Sequence, residues 1–242
     1  MLRVVMVALI LGTVSLSASL AWGSTQGELS AAALEGKTAF LVVTQGNAPG
    51  TDRALQLARQ AQGMAPEKAA VVLMDRGAAE NQKLVERYRL LGAPIPLVLV
   101  IAPNGVVAGG ALLKDVTPEL LVKTIPTPKK TEMLMGLHQK MAVIVVASKK
   151  TMVEPRSAIY EACSEATRRL ERKVTTVILD MDDKAEKAWL KELGVGPREA
   201  MPVTVVFNPK GQKTQVFRKV MTADELVKAV TKKVECCPGG SC

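Results

Sequence analysis

The densest reactive chemistry in the chain is Cys236-Cys237-Pro238-Gly239-Gly240-Ser241-Cys242. Three thiols in so short a stretch admit three chemistries. In an oxidising compartment, Cys236 or Cys237 can close a ring with Cys242 across the Pro238-Gly239 turn. A bond between the two adjacent cysteines would be strained, so the ring to Cys242 is preferred. As thiolates, the three suit Cu(I), Zn(II) or Hg(II), with a fourth ligand from elsewhere. Adjacent cysteines fit trigonal soft-metal capture better than a closed tetrahedral zinc site. A thiol left over after one ring has formed can also exchange with a partner's disulfide. A small ring with no catalytic role fits the same residues. The terminal position suits delivery or capture better than a fixed catalytic geometry.

Other reactive side chains form no comparable group. Cys163 sits beside Ala162 and near Ala166, in a segment that reads as a helix, and is expected to be a buried structural thiol. His138 is the only histidine, and no Ser-His-Asp system is legible around it. Asp180, Asp182 and Asp183 could gather a cation. Lys184 and Lys187 adjoin them, so a solvated loop is the favoured reading. Met133, Met135 and Met141 suit packing. No phosphate-binding glycine loop is present.

The elements that must position these residues begin at residue 24. Arg3, the apolar run Val4 to Leu20 and the small residues of Ala21-Trp22-Gly23 read as a signal peptide over residues 1–23, cut before Ser24. The expected location is therefore periplasmic or secreted, with no membrane span after cleavage. The 242 residues fit one large domain or two small ones. At 48% hydrophobic but 3% aromatic, the core must be largely aliphatic, and so few aromatics argue against a base-stacking surface. The formal net charge of +9 is spread among acids, as in Glu165 to Lys173. It implies attraction to anionic surfaces without specificity, and no nucleic-acid partner.

The organisation is repeated. Ile95-Pro96-Leu97-Val98-Leu99-Val100-Ile101-Ala102-Pro103-Asn104-Gly105 recurs as Met201-Pro202-Val203-Thr204-Val205-Val206-Phe207-Asn208-Pro209-Lys210-Gly211. In the first unit, residues 24–125, a short helix over Glu28 to Gly36 precedes a strand at Thr38 to Thr44. A helix from Thr51, a strand at Ala69 to Asp75 and a helix at Glu80 to Leu91 follow. The Pro96 strand, its partner at Val106 to Leu112 and a helix capped by Thr117 complete the unit. Residues 126–131, with Pro126 and Pro128, read as an extended linker. The second unit, 132–234, repeats the order. Its helices are expected near Glu132 to Gln139, within Ser148 to Lys173, and at Lys184 to Leu193. Its strands are expected at Met141 to Ala147, Val174 to Asp180, from Pro202, and at Thr214 to Val220. A capping box begins at Thr222. Residues 235–242 form the cysteine-rich tail.

This β-α-β-α-β-β-α order, with a proline opening the third strand of each unit, resembles the thioredoxin fold. The resemblance implies an α/β chain of two tandem thioredoxin-like domains, each a central mixed sheet flanked by helices, after a signal peptide. It implies that Pro96 and Pro202 follow cis peptide bonds and face the place where the family carries its redox cysteines. That place is Gly46 to Thr51 in the first unit and Lys149 to Pro155 in the second, and neither holds a cysteine. A dithiol there works because a helix N-terminus lowers the pKa of the attacking thiol. Without thiols neither site can exchange disulfides. The expected function is non-catalytic binding or scaffolding of a protein or peptide partner, with docking near Pro96 and Pro202. Cys236, Cys237 and Cys242 would add thiol or soft-metal chemistry. No cofactor is required, and Cu(I) or Zn(II) on the tail is the metal option. The alternatives are a thiol-disulfide oxidoreductase acting through the tail cysteines, and a soft-metal capture protein.

Overall fold

A computed structural model describes residues 24–65 and 67–232. The signal segment and the tail, with Cys236, Cys237 and Cys242, lie outside the described residues. Two uninterrupted apolar runs set the architecture. Strands β1 (Thr38–Thr44) and β5 (Ala142–Ser148) are buried at all seven positions. A strand buried on both faces must lie inside a sheet that is covered on both sides.

Each is the inner strand of a four-stranded sheet. β1 pairs in parallel with β2 (Ala69–Asp75), from Thr38 opposite Ala69 to Thr44 opposite Asp75. Its other side pairs antiparallel with β3 (Leu97–Ile101), which pairs antiparallel with β4 (Val107–Leu112). The order is β2-β1-β3-β4. The second sheet repeats it as β6-β5-β7-β8, with β6 Val174–Asp180, β7 Val203–Phe207 and β8 Lys213–Phe217. In both, the third strand runs against the other three.

Helices close each sheet on two faces. In the first unit, α1 (Thr25–Leu34) and α3 (Gln82–Arg87) bury Leu29, Ala32, Leu84 and Val85 on one face. On the other, α2 (Thr51–Met64) and α4 (Pro118–Thr124) bury Ala54, Leu57, Ala58, Ala61 and Leu121. In the second unit, α5 (Pro128–His138) and α7 (Lys187–Leu193) oppose α6 (Val153–Arg169) and α8 (Ala223–Thr231). Each unit is thus three layers thick, with its own pair of core clusters.

Three expectations need correcting. The linker over 126–131 is extended only at its start. Thr127 accepts a hydrogen bond from the Lys130 N–H and Pro128 takes the first helical position, so α5 begins there rather than at Glu132. The helix expected over Glu80 to Leu91 is a 3-10 turn, Ala79–Asn81, followed by the short α3, because Arg89 and Gly92 take left-handed backbone angles. The last strand stops at Phe217, since Arg218 and Lys219 turn to pair with Glu199 and Glu225. The capping box at Thr222 and Glu225 and the Thr117 cap form as expected.

Candidate functional site

The end of each sheet where the first strand leaves and the third enters forms a mouth. In the first unit Pro96 is buried there, and the Ile95–Pro96 bond is cis. The Pro96 carbonyl accepts from the Leu113 N–H at 3.2 Å. Gly50, at the start of α2, approaches both. It has φ +88°, and a β-carbon on it would stand 2.5 Å from Leu113 Cδ2 and 3.8 Å from Pro96 Cγ. Only glycine meets both demands, the positive φ and the missing side chain.

Beneath the α2 N-terminus lie two hydroxyls. Thr51 Oγ1 donates to the Ala48 carbonyl at 2.8 Å and is 2.6 Å from Thr44 Oγ1. Since each hydroxyl has one proton, Thr44 donates to Thr51. Arg76 then ties the mouth together. Its guanidinium donates to Gln45 Oε1 in the loop after β1, at 3.2 and 2.7 Å. It also donates to the Leu90 and Ala93 carbonyls before β3, at 3.0 and 2.7 Å. Part of the rim is apolar, with Pro49, Leu91 and Pro94 exposed and Ile95 and Leu113 half-buried, beside the exposed polar Gln45, Asn47 and Lys114.

The second mouth is built differently. Pro202 is buried, but Met201–Pro202 is trans, against the expectation of two cis prolines. The two isomers of an X-Pro bond differ by only about 0.5–1 kcal/mol, so local surroundings decide. Those surroundings differ. Pro96 is the fourth residue after Gly92, whereas Pro202 is the eighth after Gly194. The β3–β4 pairing also runs on from Leu97 opposite Leu112 to the Leu113–Pro96 bond, whereas β7–β8 stops at Thr204 opposite Phe217. The longer loop is laced down by cations. Lys149 Nζ donates to the Pro197 carbonyl at 2.7 Å, and Arg218 donates to Glu199 Oε1 at 2.7 Å and to the Gly194 carbonyl at 2.9 Å.

Neither helix start offers a thiol. α2 opens with Thr51-Asp52-Arg53 and α6 with Val153-Glu154-Pro155. The single described thiol, Cys163, is 3% exposed in the core between α6 and α8, and burial pushes it up to about 12. It is a structural thiol, as expected. His138 is exposed at the end of α5. Asp180 and Asp183 accept from the backbone N–H groups of Asp182 and Ala185, at 2.9 and 2.8 Å, and so serve as turn caps. Among the described residues, no group of three or more His, Cys, Asp or Glu is placed to hold a metal.

Two structural side chains were not anticipated. Arg76 follows a strand directly, as many surface cations do, and carries no local signal. Glu186, in the 3-10 turn Lys184–Glu186 before α7, is 1% exposed. It accepts from the Lys129 N–H at 2.9 Å in the first turn of α5, a partner too distant in sequence to foresee.

Strand order decides the fold. A β-α-β-α-β-β-α chain with sheet order 2-1-3-4 and an opposed third strand occurs in each unit. Both units are thioredoxin-like. No family model matches this chain, and no curated protein does. Among solved structures, thioredoxin-like proteins are similar to it. A DsbF homologue from Corynebacterium diphtheriae is 20% identical over 38% of this chain and 71% of its own, with a TM-score of 0.29. The first two thioredoxin domains of Naumovozyma dairenensis Eps1p are 9% identical over 84% of this chain and 93% of their own, at 0.32. The zinc-bound form of human ERp44 is 10% identical over 87% and 60%, at 0.35. Likenesses of this size add no weight to the assignment, which the thioredoxin-like topology itself carries.

Proposed function

We propose that this chain is an exported, tandem thioredoxin-like protein that docks an extended segment of a partner polypeptide without exchanging disulfides at either mouth. One observation carries the reading: both helices that follow the first strand start without a thiol, and Thr51 stands bonded to Thr44 at the first of them. The exposed apolar rim beside Pro96 supports docking, since an extended chain buries side chains there while its backbone pairs with the entering loop. Export rests on residues 1–23, and the periplasm or the exterior is the expected destination. Among the described residues no helix is long and apolar enough to cross a membrane. Cys236, Cys237 and Cys242 would add thiol exchange or soft-metal capture of Cu(I) or Zn(II).

The test compares the full chain with a Cys236→Ser/Cys237→Ser/Cys242→Ser variant in two assays, reduction of a protein disulfide and binding of a short apolar peptide without cysteine. Peptide binding should be the same for both proteins, and Leu113→Glu should weaken it by roughly tenfold. Any disulfide turnover should vanish in the triple variant. Turnover that survives the triple substitution would overturn the non-catalytic mouths. Efficient turnover in the parent chain, without peptide binding, would make the chain an oxidoreductase working through its tail.

A further inference from the structure

The four sheet edges are not equally protected. An edge strand presents unpaired N–H and C=O groups on which another chain can build. The ladders that hold β4 and β8 each carry a register break, between Val100 and Ile101 and between Val206 and Phe207. β2 has no such break, but side chains stopper it. The Thr38 N–H donates to the Lys68 carbonyl and the Arg76 N–H to the Thr44 carbonyl, so Ala69, Val71, Leu73 and Asp75 turn their backbone groups away from β1. Ala69 accepts from Gln62 Nε2 at 3.4 Å, Leu73 from Thr25 Oγ1 at 3.4 Å, and Asp75 from Asn81 Nδ2 at 2.9 Å.

β6 is built alike and left open. The Ala142 N–H donates to the Lys173 carbonyl and the Met181 N–H to the Ser148 carbonyl, so Val174, Thr176, Ile178 and Asp180 face outward. The stoppers are gone. Counting back from β1 and β5, Lys129 stands in the place of Thr25, and it pairs with Glu132. Thr167 stands in the place of Gln62 and donates to the Cys163 carbonyl of its own helix. Glu186 stands in the place of Asn81, at the end of the matching 3-10 turn, and accepts from the Lys129 N–H. The backbone groups of Thr176 and Ile178 therefore have no partner among the described residues. Ile178 is 40% exposed, beside a groove of about 430 Å³ lined by Tyr160, Thr167, Arg172 and Thr176.

We propose that β6 pairs antiparallel with β6 of a second copy of this chain, Thr176 opposite Ile178 of that copy, joining two four-stranded sheets edge to edge. A two-fold contact of this kind uses the same patch on both copies. Val174–Asp180, rich in Val, Thr and Ile and charged only at its end, suits strand pairing. The register sets Val174 opposite Asp180 of the second copy, with Arg172 two places before the one and Asp182 two places after the other. Both side chains are exposed and unbonded among the described residues. Antiparallel pairing brings these opposite charges together at both ends, whereas parallel pairing would set each beside its like. Glu171 stands near the Arg172 end, and Lys150, Lys184 and Lys187 near the Asp182 end, so the match is one of register and not of net charge. The inference is independent of docking at either mouth.

The experiment is sedimentation velocity on the full chain under reducing conditions, which keep the tail thiols from linking copies. The parent should show a concentration-dependent monomer–dimer equilibrium. Ile178→Lys, which places a charge on the open edge, should raise the dissociation constant roughly tenfold or more. Leu73→Lys, at the matching place on β2 and 39% exposed, should leave it unchanged. Arg172→Asp and Asp182→Arg should each weaken association, and the two together should restore it. All four side chains are exposed, and an unchanged circular dichroism spectrum confirms folding. A parent that stays monomeric, a dimer indifferent to Ile178→Lys, or a double reversal no better than the single ones would overturn the proposal. So would a monomer that takes up an extended peptide along β6, since the edge would then serve another chain.

Discussion

Cys163 shows how far placement alone decides what a residue does. The same thiol at the start of α6 would be activated by the helix N-terminus, but nearly three turns further on it joins Ile159, Ala166 and Leu226 in the core. Burial raises it from 9.0 to about 12, so near neutral pH it stays protonated. The native state thus holds a proton that the unfolded chain releases above pH 9. The resulting stabilisation is complete below pH 9 and is lost as pH rises toward 12. Two outcomes follow. With the tail cysteines replaced by serine, iodoacetamide at pH 8 should label native Cys163 about a thousandfold more slowly than the unfolded thiol, from the thiolate fraction alone. The urea midpoint of the parent should also fall more than that of Cys163→Ala between pH 8 and pH 10.5. Rapid native labelling, or parallel losses, would contradict the burial.

At the scale of elements, local patterns were legible wherever a segment's own residues settle its geometry. β1 and β5 are continuous apolar runs. Thr117 and Thr222 cap helices through their own side chains, and Gly194 takes the left-handed cap that ends α7. Boundaries shifted where a distant partner intervened. α5 starts early in part because Glu186, distant in sequence but on the same face of the sheet, satisfies the Lys129 N–H. That carboxylate is an unusual choice for so buried a place, and its second oxygen has no partner among the described residues. Glu186→Ala should therefore orphan the Lys129 N–H and cost about 1–3 kcal/mol in urea unfolding, while Glu186→Gln retains an acceptor and costs less. An alanine variant as stable as the parent would show that α5 does not depend on this cap. The candidate site was legible only in part for the same reason. Pro96 and the missing thiols are visible in the chain, but the Arg76 clamp and the trans bond at Pro202 depend on loops that meet only in space.

For the whole molecule, the decisive fact is that no core cluster mixes residues of the two units. The units touch through lighter contacts, such as Asn104 Nδ2 donating to the Thr131 carbonyl at 3.0 Å. A deep truncation should therefore stay local. Leu226→Ala, at a fully buried position, should cost about 2–5 kcal/mol and speed amide exchange in β5, β6 and β7. Exchange in β1 and β3 should hardly change, and equal acceleration in both sheets would show that the units unfold as one. Independence lets two mouths of different character share one chain. It also sets a hazard before folding is complete. Phe40 to Val43 and Val143 to Ala147 are uncharged, proline-free and rich in valine, a composition that stacks readily into intermolecular sheets. In the finished protein each is sealed between two neighbouring strands and two helical layers. During synthesis those covers are missing, because β3 and β7 follow much later in the chain. The two segments that are safest in the native state are thus the ones with most to gain from a chaperone on the way there.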